Sequence, residues 1–148
     1  MKIKQKDIEL FSALRKNGRM SLTNISKETH IPVSTVFEKL RQYTDGIIKK
    51  YTVLLDFGKL GYTIRVCLVL KVGCRDKLLH FLDIHPNVNN VYRINNGYDV
   101  LCEALFKDIH AAESFLQALE EFTVMKLEVF YVLEDVKREG FFAETLCV

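Results

Sequence analysis

Several ingredients of common active sites are missing from this 148-residue chain. The four cysteines, Cys67, Cys74, Cys102 and Cys147, form no C-x-x-C pair, and no histidine stands near one at a zinc-like spacing. The histidines are scattered, and His80 and His85 are five apart, a spacing that a helix does not bring to one face. There is no H-E-x-x-H, no glycine-rich phosphate loop and no G-x-S-x-G. No catalytic residue, metal ligand or cofactor is therefore expected. The longest near-apolar stretch, residues 66–72, falls far short of the roughly 20 residues a membrane span needs. The first seven residues have no apolar segment behind them, so no signal peptide is expected. The expectation is a cytoplasmic protein, away from membranes, whose reduced cysteines pack as small apolar groups.

What is present is an uneven charge. The net +2 divides into +6 for residues 1–51, with eleven Lys and Arg against five acids, and −4 for the rest, with ten against fourteen. A basic third on an acidic two-thirds points to nucleic acid at one end only.

The first fifty residues read as three short helices. Asp7 is placed to cap a helix with Leu10, Phe11 and Leu14 inside, stopped by Asn17-Gly18, with Gly18 suited to a left-handed residue. Ser21 is an N-cap for a second helix that buries Leu22 and Ile25. Pro32 can begin a third, from about Val33 to Tyr43, whose apolar stripe is Val33, Val36, Phe37, Leu40 and Tyr43. Its polar face carries Ser34, Thr35, Glu38, Lys39, Arg41 and Gln42. Two short helices across a three- to four-residue turn make a helix-turn-helix, and such a polar face can reach base edges and phosphates in the major groove. After an Asp45-Gly46 turn, residues 47–55 read as a strand forming a wing, with Lys49 and Lys50 on phosphates.

A joint at 56–61 holds two glycines. Beyond it, strands at 62–72, 88–95, 98–106 and 124–133 alternate with helices capped by Asp76 and Asp108. On the first strand Ile64, Val66, Leu68, Leu70 and Val72 share one face and Thr63, Arg65, Cys67, Val69 and Lys71 the other. Asn96-Gly97 marks a hairpin. The order β-α-β-β-α-β is the ferredoxin-like split unit, whose two helices cover only one sheet face. The other face is also partly apolar, which calls for a cover: a second copy of the chain, or the tail with Phe141, Phe142 and Leu146. The fold class expected is α+β, with a winged helix-turn-helix over 1–55, a linker over 56–61 and a ferredoxin-like domain for dimerisation and effector binding over 62–148.

Five stretches in this order and spacing resemble the Lrp/AsnC family of feast/famine regulators. They are residues 7–21 (DIELFSALRKNGRMS), 25–40 (ISKETHIPVSTVFEKL), 46–61 (GIIKKYTVLLDFGKLG), 97–101 (GYDVL) and 132–137 (VLEDVK). The resemblance implies a regulator that binds double-stranded DNA as a homodimer, often assembled further into octamers. It also implies an amino acid or related metabolite held near the hairpin Asn96, Gly97, Tyr98 and Asp99. The sequence departs from the family at three places. His30 stands where a glycine is common in the turn, Gly97 comes one place late in the hairpin, and Thr123 precedes the last strand where a glycine is usual. The same architecture also serves siroheme decarboxylases, an enzyme alternative that calls for His and Arg around a tetrapyrrole. A regulator that binds DNA without any effector is a third reading.

Overall fold

The structure is a computed structural model that describes residues 3–44 and 46–141. Asp45 of the expected turn, and Phe142, Leu146 and Cys147 of the tail, lie outside the described residues. The chain divides into two compact units, one of Met1–Leu55 with Val136–Val148 and one of Asp56–Asp135.

The first unit is built on α1 (Gln5–Lys16), α2 (Leu22–Thr29) and α3 (Val33–Tyr43). Leu10, Ile25, Ile31, Val36 and Tyr43 form its core. Helix α1 starts before the expected cap. Lys4 is the N-cap, and Asp7, already inside the helix, accepts the Lys4 backbone N–H at 2.8 Å, satisfying a donor that would otherwise be orphaned. The C-cap Asn17 is extended at φ −149°, and Gly18 is not left-handed, contrary to expectation. Ser21 does cap α2, its Oγ accepting from the Asn24 N–H at 3.2 Å. His30 ends that helix in the left-handed conformation at φ 53°, so the turn before α3 has the backbone that glycine adopts more cheaply.

The expected wing strand over 47–55 is not formed. Ile48 makes one isolated bridge to Thr44, and residues 49–55 are exposed and unladdered. β-branched content alone does not make a strand; a partner must take its N–H and C=O groups, and none does so here among the described residues. Residues 136–141 belong to this unit: Arg15 Nη2 donates to the Glu139 carbonyl at 2.7 Å, and Arg15 Nε to the Phe141 carbonyl at 3.0 Å. The Phe141 ring is largely exposed.

The second unit runs β1 (Ile64–Val72), α4 (Arg75–Ile84), β2 (Val88–Arg93), β3 (Val100–Phe106), α5 (Ile109–Leu119), a 3-10 turn (Glu120–Phe122) and β4 (Val124–Tyr131). The strands form one antiparallel sheet in the order β2-β3-β1-β4. Strict alternation on β1 sends Val66, Leu68, Leu70 and Val72 into the core. There they meet Val100, Cys102, Ala104 and Phe106 of β3, Leu78 and Leu82 of α4, and Ala112, Phe115 and Leu119 of α5. Burial pushes the Cys102 thiol up to about 12, so this cysteine behaves as a small apolar group. Asp108 caps α5 through the Ala111 N–H at 2.9 Å. Asp76 does not cap α4: Cys74 is its N-cap, and Asp76 stands in the first turn, where its charge still favours the helix dipole. The segment expected as a linker is a hydrogen-bonded turn, with the Tyr62 N–H donating to the Phe57 carbonyl at 3.0 Å and the Lys59 N–H to Asp56 at 3.1 Å.

Candidate nucleic-acid interface and effector hairpin

Helix α3 turns a different face outward from the one its apolar stripe suggests. Val36 and Tyr43 are buried, and Leu40 half-buried, but Val33 and Phe37 are 41% and 51% exposed. The buried side is thus rotated toward Lys39. The outward surface comprises Ser34, Thr35, Glu38, Arg41 and Gln42 of the expected set, together with Val33 and Phe37, which sequence reasoning assigned to the core.

Lys39 is partly exposed beside Thr35, Glu38, Arg41 and Gln42, but its ammonium is engaged toward the interior. Its Nζ donates to Asp7 Oδ1, and Asp7 is only 1% exposed. Burial by itself pushes the Asp7 carboxyl up, but donors from Lys39, the Lys4 amide and Tyr43 outweigh it and hold the group below the usual carboxylate range. The same hydrogen bond raises Lys39. Burial and then Asp7 raise Tyr43. A buried carboxylate needs such partners, which is why the helix rotates to bring Lys39 inward. The signal available in the sequence was Asp7 itself, an acid among the apolar positions of α1. Lys49 and Lys50 are exposed, as a phosphate contact requires, but on the unladdered segment rather than on a strand.

The outer sheet face carries the half-exposed Phe130 and Tyr92, with Cys67, Val69 and Leu101 between them. It is less uniformly apolar than its sequence suggests. Arg65 lies 3.7 Å from Glu103 and also pairs with Asp135, while Asn89 and Asn90 donate to Glu103. Its hydrogen bond to Asp135 raises Arg65 above its ordinary value, against the pull of burial.

At the hairpin, Asn96 and Gly97 are both left-handed, at φ 64° and 87°, and open space surrounds the Cα of Gly97. Asp99 has two structural tasks. Its Oδ2 accepts the Val72 N–H at 3.1 Å, and its Oδ1 lies 4.0 Å from Arg75 Nη1. Tyr98 turns from the turn to β4: its hydroxyl donates to Glu128, and Lys126 sits 4.3 Å over its ring. The hairpin residues therefore do not converge as one group, and Arg75, Lys126 and Glu128 are neighbours that sequence reasoning missed. Thr123, where the family usually has glycine, is left-handed at φ 53°, an outlying conformation for a β-branched residue. Among the described residues no group of three or more His, Cys, Asp or Glu could hold a metal ion, and no helix is long and apolar enough to cross a membrane.

Residues 69–140 match the family described as the Lrp/AsnC ligand binding domain. The HTH-type transcriptional regulator FL11 of Pyrococcus horikoshii is 28% identical over 116 residues, 76% of this chain and 77% of that protein. LrpC of Bacillus subtilis is 26% identical over 141 residues, 93% of this chain and 97% of its own. The solved structure of B. subtilis LrpC superposes with a TM-score of 0.85 at 22% identity, covering 93% of this chain and 99% of that one. A transcriptional regulator of Neisseria meningitidis, solved as its L-Met complex, gives 0.84 at 22% identity, covering 93% and 94%. These relatives are named as helix-turn-helix transcriptional regulators, and the two solved structures share this chain's fold. Over residues 69–140, just under half of its length, the chain is similar to the Lrp/AsnC family, and its relatives include LrpC.

Proposed function

We propose that this protein is a sequence-specific DNA-binding regulator whose residues 1–55 read the operator through α3. In this reading 56–61 lead into residues 62–135, a ferredoxin-like part that pairs with a second copy and takes a small effector, while the segment from Val136, expected in that part, goes with the helical unit. The observation that carries the reading is the exposed face of α3. Ser34, Thr35, Glu38, Arg41 and Gln42 stand outward together within the basic N-terminal third of the chain, after a three-residue turn through His30. Arg41 and Gln42 meet base edges or phosphates, and Lys49 and Lys50 meet phosphates. Each lysine lost should lower the salt slope of binding by roughly one unit, for specific and random duplexes alike. Fluorescence anisotropy against salt, on wild type and Lys49→Ala, tests this. Equal affinity for all duplexes, or no binding, would sink it. The enzyme alternative has no support comparable to relatives named as transcriptional regulators.

The second copy covers the outer sheet face. A charge on that face, Phe130→Glu on the edge strand β4, should give monomers by light scattering, because an unpaired carboxylate in an apolar contact is costly. A monomeric wild type at micromolar concentration refutes this part.

The effector sits at the hairpin, where the open backbone at Gly97 admits a ligand closely. Asp99 Oδ1, the oxygen not held by the Val72 amide, is the one to meet an α-ammonium group. That one relative was solved with L-Met supports an amino acid as the class. Calorimetry with an amino-acid panel should find a ligand for the wild type and weaker binding in Asp99→Asn, which keeps an acceptor for Val72. Equal binding by both places the site elsewhere.

A further inference from the structure

Phe37 has no role in the core of its unit. That core closes around Leu10, Ile25, Ile31, Val36 and Tyr43, with Phe11, Leu14, Met20, Leu22, Leu40 and Ile48 against it, and neither Phe37 nor Val33 joins them. The two lie one turn apart on the outward side of α3, and Arg41 continues the same i, i+4 ridge, flanked by Ser34 and Glu38. A half-exposed aromatic on a helix otherwise polar outside forgoes the gain of burial. It calls for a contact made only in a complex.

The surroundings decide what that contact is. Two apolar side chains are far too small a patch for a protein–protein interface, which needs about 800 Å² from each partner. The ridge ends in an arginine, within a stretch carrying a net +6, which suits a polyanion. In the major groove the one apolar feature on a base edge is the thymine 5-methyl group, and a phenylalanine is among the side chains that read it. Building on the proposal that α3 enters the groove, we infer that Phe37, with Val33 beside it, is a specificity-determining residue that packs on a thymine methyl group of the operator.

The test begins with the full-length wild type selecting sites from a randomised duplex library. Each thymine of the selected site is then replaced by uracil, which removes the methyl group and leaves the base pair intact. The wild type should lose about fourfold in affinity at one or more positions, the worth of one buried methyl-sized group. Phe37→Ala should show no uracil penalty at those positions, and Phe37→Leu a reduced one. Thermal melts establish that the variants are folded, and if Phe37→Ala is not, Phe37→Leu carries the comparison alone. An equal penalty in wild type and variants overturns the inference, as does a wild type indifferent to uracil everywhere. If the wild type enriches no sequence, the DNA-reading proposal itself falls and takes this one with it; enrichment without a uracil effect removes only Phe37.

Discussion

The two units hold themselves together by different means. In the sheet unit the buried core is wholly apolar: Leu68 and Leu70 of β1, Phe106 of β3, Leu78 and Leu82 of α4, and Leu119 of α5 are all essentially inaccessible. In the helical unit the aliphatic side chains of Leu10, Ile25, Ile31 and Val36 share the interior with the Asp7 carboxylate, the Lys39 ammonium and the Tyr43 phenol, which are hydrogen-bonded together. A small unit has too little volume to bury all its apolar residues. Here it uses an ion pair to tie α1 to α3 and leaves Phe37 and Val33 outside. The lesson is that the orientation of the candidate DNA-reading helix rests on one polar cluster, whereas the sheet rests on many interchangeable apolar contacts.

That contrast can be broken most severely in the sheet unit. Leu68→Ala should cost about 2–5 kcal/mol, read by chemical denaturation, because its cavity lies where both neighbouring strands and the helices hold their positions. Next comes Asp7→Ala, at about 2–3 kcal/mol, since it strands Lys39 and Tyr43; Lys39 keeps some access to water, which limits the loss. Because the native Asp7 carboxyl lies below its ordinary value of 3.8, its contribution is full above that pH and is lost as pH falls through the lowered native value. Lys39 works in the opposite sense. Its raised value means that its contribution is full below about pH 10.5 and is lost only as pH rises through the native value. Acid titration of Asp7→Asn should therefore be flatter than that of the wild type below pH 4, while Leu68→Ala keeps the wild-type slope.

Smaller effects sharpen the contrast. Arg41→Ala should weaken operator binding by about 1–3 kcal/mol with little change in melting temperature, since Arg41 is exposed and outside the cluster. Lys39→Met should behave oppositely, lowering stability while leaving the salt slope of DNA binding unchanged. A fall of one unit in that slope would return Lys39 to the DNA face. Smallest of all, Thr123→Gly should stabilise the sheet unit by about 1 kcal/mol on melting, because it removes left-handed strain from a β-branched residue.

The sequence by itself determined the three N-terminal helices, the element order from residue 62 onward, the bounds of α3, the caps Ser21 and Asp108, and which side of β1 is buried. These follow from local chemistry and from a period of two, in which a residue has only two faces to choose between. It also placed Ser34, Thr35, Glu38, Arg41 and Gln42 on an exposed surface. Tertiary structure alone decided the rotation of α3, because a helix has no such binary choice, and its inward side is set by whichever neighbour asks most of it. Asp7, distant in sequence, asks for Lys39, and satisfying a buried charge outweighs burying Phe37. Tertiary structure likewise decided that residues 47–55 form no strand and that Asp99 caps the end of β1, since each depends on whether a partner segment is present to exchange hydrogen bonds.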